Sequence, residues 1–366
     1  MAWEKELEES ISTIAQLGEY MELDPKKGAI LQEIIDIHPM RITRYYMTLI
    51  DEKDPDDPIR KMAVPSEEEL NLVGSYDTSG ERENTIMPGL QHKYAQTALI
   101  LATNRCAMYC RYCFRKRLVG LPTEEIMERF NGAAKYIEEH EEINNVLITG
   151  GDPFILSTEV LSDFLERLSD ISHLDFIRFG TRVPVTFPDR ILEDDKLLTL
   201  LGNNSHENRR IYVVTQFNHP REITAKATSA VSRLIRAGVI VDNQTVLLKG
   251  VNDDPETLAE LQNKLVSIGV IPYYLFQCRP VKRVKSYFQV PLYKGYEIVE
   301  AAKERLNGHS KRFKYMMSHR TGKIEIVGVM DDYIYFKYNQ AHVPANIGKF
   351  FKRKINKIAG WLDELV

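Results

Sequence analysis

The chain has 366 residues, 43% hydrophobic and 27% charged, and a formal net charge of −4. That length suits one large domain or a main domain with attachments, and the balance offers no basic excess of the kind that binds a nucleic-acid backbone. No apolar run approaches the roughly 18–20 residues that span a bilayer, and the acidic, amphipathic start MAWEKELEESI is neither a signal nor a transit peptide; a cytoplasmic protein without membrane or nucleic-acid partners is expected.

In chain order, residues 1–94 read as a helical region peripheral to the rest of the chain. Asp24 caps a helix that Pro25 opens in DPKKGAILQEIIDIHPMRITRYYMTLI. DEKDPDDPIRKM is a charged, proline-broken connection, and Ser66 and Glu69 form a capping box at PSEEEL. GSYDTSGERENTIMPGLQHKY reads as an irregular approach to the first strand.

From about Thr97 the texture changes. Short apolar, β-branched runs (ALILAT, NVLITG, LDFIRFG, RIYVVTQF, GVIVDNQTVLL and VIPYYLFQC) alternate with helical stretches (TEEIMERFNGAAKYIEEH, STEVLSDFLERLSDI, TAKATSAVSRLIRAG and DPETLAELQNKLVSIG). Six strand-then-helix units imply an α/β fold with a parallel sheet covered by helices. Whether it closes into a barrel, fully or partly, or stays open, ligands sit at the C-terminal ends of its strands. Five of the six strands are followed by polar or glycine-containing segments: the cysteine cluster, TGGDP, GTRVPV, QFNHPRE and QCRPVKR. This core spans 95–290. The extension 291–366 holds a helix, GYEIVEAAKERLNG, then β-like FKYMMSH, KIEIVGV and YIYFKYN. Its tail, IGKFFKRKINKIAGWLDEL, reads as a basic helix with one solvated face.

RCAMYCRYCFRKR puts Cys106, Cys110 and Cys113 within eight residues, with Cys278 far away. Clustered thiols without a secretion signal point to metal or redox chemistry rather than disulfides. Zinc sites usually add a second cysteine pair downstream, which this chain lacks. A [4Fe–4S] cluster normally takes four cysteines. Three would leave one iron open, unless Cys278 fills it.

The C-x3-C-x2-C loop after a first strand, with Tyr112 before the third cysteine, resembles the signature of the radical S-adenosylmethionine (radical SAM) enzymes. The resemblance implies a partial (β/α)6 barrel with an N-terminal helical region and a C-terminal α+β extension. It also implies S-adenosylmethionine chelating the open iron, and a 5′-deoxyadenosyl radical that abstracts a substrate hydrogen. Gly150, Gly151 and Asp152 in LITGGDP then hold the methionine amino group. Arg182, Gln216 and Gln244, near later strand ends, are candidates for the nucleoside and carboxylate.

Within that superfamily DPIRKMAVPSEEEL, PGLQHKY, CAMYCRYCFRKR, GTRVPVTFPDRI, NQTVLLKGVND and PYYLFQC are similar to the lysine 2,3-aminomutase family, over about Asp57 to Lys323. Membership implies an amino group moving from Cα to Cβ of an amino acid through a pyridoxal phosphate aldimine. Lys323 is the matching lysine. The family's glycine run before it is here Ser-His-Arg-Thr with only Gly322, where Arg320 would add charge. Lys93 stands where relatives place an arginine for the phosphate. The four cysteines of the family's structural zinc are missing (Asp254 follows GVND), so no structural zinc is expected.

Arg115 matches the arginine for the α-carboxylate. Lysine-specific relatives place aspartates where this chain has Arg279 and about Met316. A guanidinium suits a distal carboxylate, so a glutamate-like or other acidic amino acid is the expected substrate. Alternatives are lysine 2,3-aminomutase activity, a radical SAM epimerase, dehydrogenase or peptide-modifying enzyme without pyridoxal phosphate, and a non-catalytic iron–sulfur carrier. The reading also implies a reducing partner such as flavodoxin or ferredoxin, and leaves homo-oligomerisation open.

Overall fold

Among the described residues, 2–127 and 130–366 of a computed structural model, twelve strands form one sheet in sequence order. β1 (Thr85–Met87) and β2 (Leu90–Tyr94) precede β3 (Thr97–Thr103) as antiparallel neighbours. The parallel core continues through β4 (Asn145–Gly150), β5 (Phe176–Gly180), β6 (Arg210–Thr215), β7 (Ile240–Leu247) and β8 (Ile271–Gln277). β9 (Lys314–His319) joins β8 in parallel, and β10 (Gly322–Met330), β11 (Tyr333–Ala341) and β12 (Phe350–Lys354) complete an antiparallel meander. β1 and β12 are not paired, so the barrel is partial. The sheet runs on through the expected boundaries at 94 and 290.

The alternation of side chains along a strand creates the interior. Leu147 and Thr149 of β4, Arg178 of β5, Tyr212 and Val214 of β6, and Asp242, Gln244 and Val246 of β7 line one central cavity. Their neighbours Ile148, Ile177, Phe179, Ile211, Val213 and Val241 are buried in the core. Helices 158–169, 225–236 and 255–267 start where expected, capped by the side chains of Ser157, Thr224 and Asp254.

Several expectations are corrected. The helix read over TEEIMERFNGAAKYIEEH is helical from Phe130 to Glu138; Met127 instead donates its backbone N–H to Leu101 of β3, and Glu128 and Arg129 lie outside the described residues. Between β5 and β6, where no helix was read, three short helices (183–186, 189–192 and 195–203) are punctuated by Pro184 and Pro188. The tail is no α-helix. Residues 350–354 form edge strand β12, where Phe351 stacks on its cross-strand partner Phe336 at 5.2 Å.

Nor is the N-terminal region peripheral. The Asp24 cap and the Ser66–Glu69 capping box are present, the latter opening a 3-10 turn. Glu69 is completely buried and accepts from Arg111 Nε at 2.8 Å, Arg111 Nη2 at 2.6 Å and Lys116 Nζ at 2.6 Å. Two cations of the cysteine loop thus rest on one N-terminal carboxylate. Burial alone would raise the Glu69 acid, but Arg111 and Lys116 outweigh it and hold it at about 2.

Removing that carboxylate strands two buried cations, a cost of about 3–5 kcal/mol. Glu69→Gln is expected to lose that much stability in urea denaturation at pH 7. Because the folded acid is depressed from 4.5 to about 2, the carboxylate contributes fully above 4.5 and its contribution disappears as pH falls towards 2. The gap between wild type and variant should therefore narrow over that window.

Candidate active site

The cavity inside the curled sheet holds about 580 Å³. At the C-terminal end of β4, Gly150 adopts φ +115°, and a Cβ there would come within 2.4 Å of the Thr103 carbonyl oxygen. A Cβ on Gly151 would lie 2.2 Å from the Arg105 oxygen. Only glycines let β4 press on the root of the cysteine loop, where Asp152 N–H donates to Arg105 O at 2.8 Å. The Asp152 carboxylate borders the cavity, yet it also accepts from Thr181 Oγ1 at 2.6 Å and from the N–H groups of Arg182 (2.7 Å) and Phe154 (3.0 Å).

Cys106, Cys110 and Cys113 are free thiols on the wall of this cavity. Burial pushes the Cys113 thiol up to about 11, with Cys110 adding to it, and raises the Cys106 thiol well above the usual range, with Asp152, Cys113 and Cys110 adding to it. Cys278 is buried and lines the same cavity; burial pushes its thiol up to about 12, against the pull of Arg279. Among the described residues no three His, Cys, Asp or Glu side chains converge on a single ion. Three thiols spaced along one cavity wall fit a polynuclear iron–sulfur cluster, and the space beside them fits a ligand on its remaining iron.

A frame of ion pairs holds the loop. Glu81 accepts from Arg115 Nε and Arg117 Nη2, both at 3.0 Å. Arg182 donates to Cys110 Sγ at 3.1 Å, to Gln216 O at 3.0 Å and to Glu222, which also accepts from Tyr46 OH at 2.6 Å. Arg182, a candidate for the nucleoside and carboxylate, thus lines the cavity while bonded to the loop and to Glu222. Gln216 accepts from Tyr112 OH at 3.1 Å, whereas Gln244 lines the cavity with no side-chain partner among the described residues.

Farther in, Arg279 rests its guanidinium over Phe114 at 4.0 Å and donates to Ser79 Oγ at 2.8 Å and Ser318 Oγ at 3.1 Å. It is not paired with Glu222 or, among the described residues, in any ion pair within 4.0 Å. Burial and the Arg115 charge lower it to about 10, against the pull of Glu81. Lys93 donates to the carbonyls of Ser79 (2.7 Å) and His319 (2.9 Å).

Lys323 brings a buried amine into the cavity, 4.9 Å from the Tyr274 ring centroid and 5.9 Å from that of Phe276. Burial, helped by Arg178, Arg279 and Lys93, lowers it from 10.5 to about 7. A neutral amine in a cation-rich, aromatic cavity fits a phosphorylated aldehyde such as pyridoxal phosphate. The shortened segment before it forms no wide loop: His319 pairs with Gly322 around Arg320–Thr321, and Arg320 is exposed, away from the cavity.

Sequence reasoning missed Ser79, Glu81, Ser318, Arg178 and Asp242. Ser79 and Glu81 come from an irregular segment and carry no pattern, and Ser318 is one small polar residue of strand β9 that nothing sets apart. Arg178 and Asp242 interrupt the apolar runs LDFIRFG and GVIVDNQTVLL, a signal of inward-facing function that was available.

Residues 100–261 match the family model of the Radical SAM superfamily. A protein of Aquifex aeolicus (strain VF5), provisionally named L-lysine 2,3-aminomutase, is 42% identical over 344 residues, 94% of this chain and 92% of its own. The L-lysine 2,3-aminomutase of Clostridium subterminale is 37% identical over 84% of this chain and 73% of its own. The Glutamate 2,3-aminomutase of Clostridioides difficile (strain 630) is 35% identical over 81% and 69%. With relatives of this identity aligned along most of their length, the chain belongs to the radical SAM 2,3-aminomutase family.

Proposed function

We propose that this chain is a 2,3-aminomutase that moves the α-amino group of glutamate, or of a similar acidic amino acid, to the β carbon. The observation that carries the substrate class is Arg279: a half-buried guanidinium in the cavity, held among the described residues by two serine hydroxyls and a ring face. It is in position to take a carboxylate and repels an ammonium.

Cys106, Cys110 and Cys113 would hold a [4Fe–4S] cluster, with the backbone at Gly150 and Gly151, the Asp152 carboxylate, Gln216 and Gln244 around S-adenosylmethionine. Lys323 would hold pyridoxal phosphate. Bound there, these groups supply hydrogen-atom abstraction and a conjugated ring that assists nitrogen migration. The chain's own residues do the rest. Arg115, fixed by Glu81, takes the α-carboxylate while Arg279 takes the distal one, and two anchored ends restrict which C–H faces the cluster. Tyr274 and Phe276 keep water from the Lys323 amine, which near pH 7 is substantially neutral and able to attack a carbonyl.

Two outcomes are expected. Pyridoxal phosphate added to the purified protein should give an absorbance band near about 420 nm, absent in Lys323→Ala. Its rate of appearance should rise with pH through about 7, because the amine is charged and unreactive below its folded pKa and free above it; a rate that climbs only above pH 9 contradicts the depressed lysine. In an anaerobic, reduced assay of glutamate, aspartate, lysine and arginine, followed by mass spectrometry of β-amino products, glutamate or aspartate should react. Arg279→Asp should lower kcat/KM for that substrate about 10- to 100-fold, the value of one charge-assisted hydrogen-bond pair. Lysine turnover without turnover of either acidic substrate refutes the assignment.

A further inference from the structure

Pyridoxal phosphate on Lys323, the reading on which this inference rests, would bring a phosphate monoester dianion that must meet cationic or N–H donors inside the cavity. The two-residue turn before Lys323 offers no glycine-rich cradle, and Arg320 faces away. The other cations of the cavity are largely committed. Arg115 lies on Glu81, Arg182 on Glu222 and Cys110, and Lys93 on two carbonyls, while Arg279 sits between two serines.

Arg178 is the exception. It projects from β5 into the cavity, and one nitrogen, Nη2, donates to Asn145 on the neighbouring β4. Its Nε is buried without a hydrogen-bond partner, and among the described residues Nη1 has none either. The nearest rings are aromatic: Phe176 lies 5.7 Å from its guanidinium carbon. Of the cations that depress Lys323, Arg178 acts most strongly. Its closest carboxylate in electrostatic terms is Asp242 on β7, which forms neither a salt bridge nor a hydrogen bond with it.

We propose that Arg178, steadied by Asn145, is the principal cation of an anion subsite in the inner part of the cavity, and that its ligand is the phosphate monoester of an aldehyde joined to Lys323. The two orphaned guanidinium nitrogens supply donors that no protein group uses. Asp242 opposes the ligand from the same end, so its removal should strengthen what removal of Arg178 weakens. The opposite signs separate a direct electrostatic role from loss of fold.

The test is a spectroscopic titration of the full-length protein with pyridoxal phosphate and with pyridoxal, which shares the aldehyde and lacks the phosphate. Wild type should prefer the phosphorylated form, and inorganic phosphate should compete with it. Arg178→Gln should cut that preference, read as the ratio of the two affinities so that any change in the Lys323 amine common to both aldehydes cancels, at least tenfold, and should abolish competition by phosphate. Arg178→Lys should restore part of it, and Asp242→Asn should bind pyridoxal phosphate more tightly than wild type. An Arg178→Gln protein that keeps the wild-type preference while Lys323→Ala loses the band overturns the subsite and leaves the Lys323 reading standing. A wild-type protein that gives no band with either aldehyde overturns both. Should Arg178→Gln not fold, an Asp242→Asn protein with unchanged or weaker affinity for pyridoxal phosphate overturns the subsite.

Discussion

The site depends on buried carboxylates that grip the arginines and lysines of one loop. Between Arg111 and Arg117 four cations surround the third cysteine, and each is tied to Glu69 or Glu81. A third carboxylate, Glu222, holds Arg182, which in turn reaches Cys110. A loop as polar as RYCFRKR would not stay folded over a cavity by hydrophobic contact. Desolvating its charges is worthwhile only because each finds a partner with good geometry. The frame keeps three thiols at the cavity wall without drawing them together on one ion.

This explains why the N-terminal region belongs to the site although it supplies no cluster ligand. Glu69, Ser79, Glu81 and Lys93 all precede the parallel core, and all touch the cysteine loop or the cavity. Charge is then graded along the cavity. Near the thiols the cations are neutralised by their carboxylates, so the field is set by sulfur. Deeper in, Arg279, Lys323 and Arg178 form no ion pair with a carboxylate among the described residues, and their charges make the interior electropositive. Burial first, and these arginines with it, make Lys323 lose its proton more easily than lysine usually does.

Much of this was legible in the sequence, for identifiable reasons. The six parallel strands were visible as β-branched runs, and NVLITG matched β4 to the residue, because burial on both faces forces near-continuous apolar stretches. Cys106, Cys110, Cys113, Gly150 and Gly151 could be singled out by residue type and spacing, and all five line the one cavity. The tail was misread: KFFKRKINK has a helical charge pattern, but the Phe336–Phe351 stack makes it a strand, and no local signal records a contact made fifteen residues away. The contact of Arg182 with Glu222, forty residues on, was not legible either. Glu81 was passed over because nothing in GSYDTSGEREN shows that two arginines of the cysteine loop converge on it. Long-range ion pairs leave no periodicity.

The account stands on a three-thiol cluster whose remaining iron is open to the amino and carboxylate groups of S-adenosylmethionine. Electron paramagnetic resonance of the anaerobically reconstituted, reduced protein, recorded before and after adding S-adenosylmethionine, tests this most directly. The account predicts the signal of a reduced [4Fe–4S] cluster that changes shape when the sulfonium compound binds, both in the wild type and in Cys278→Ala. A signal indifferent to S-adenosylmethionine, or one that responds only after Cys278 is removed, would contradict it.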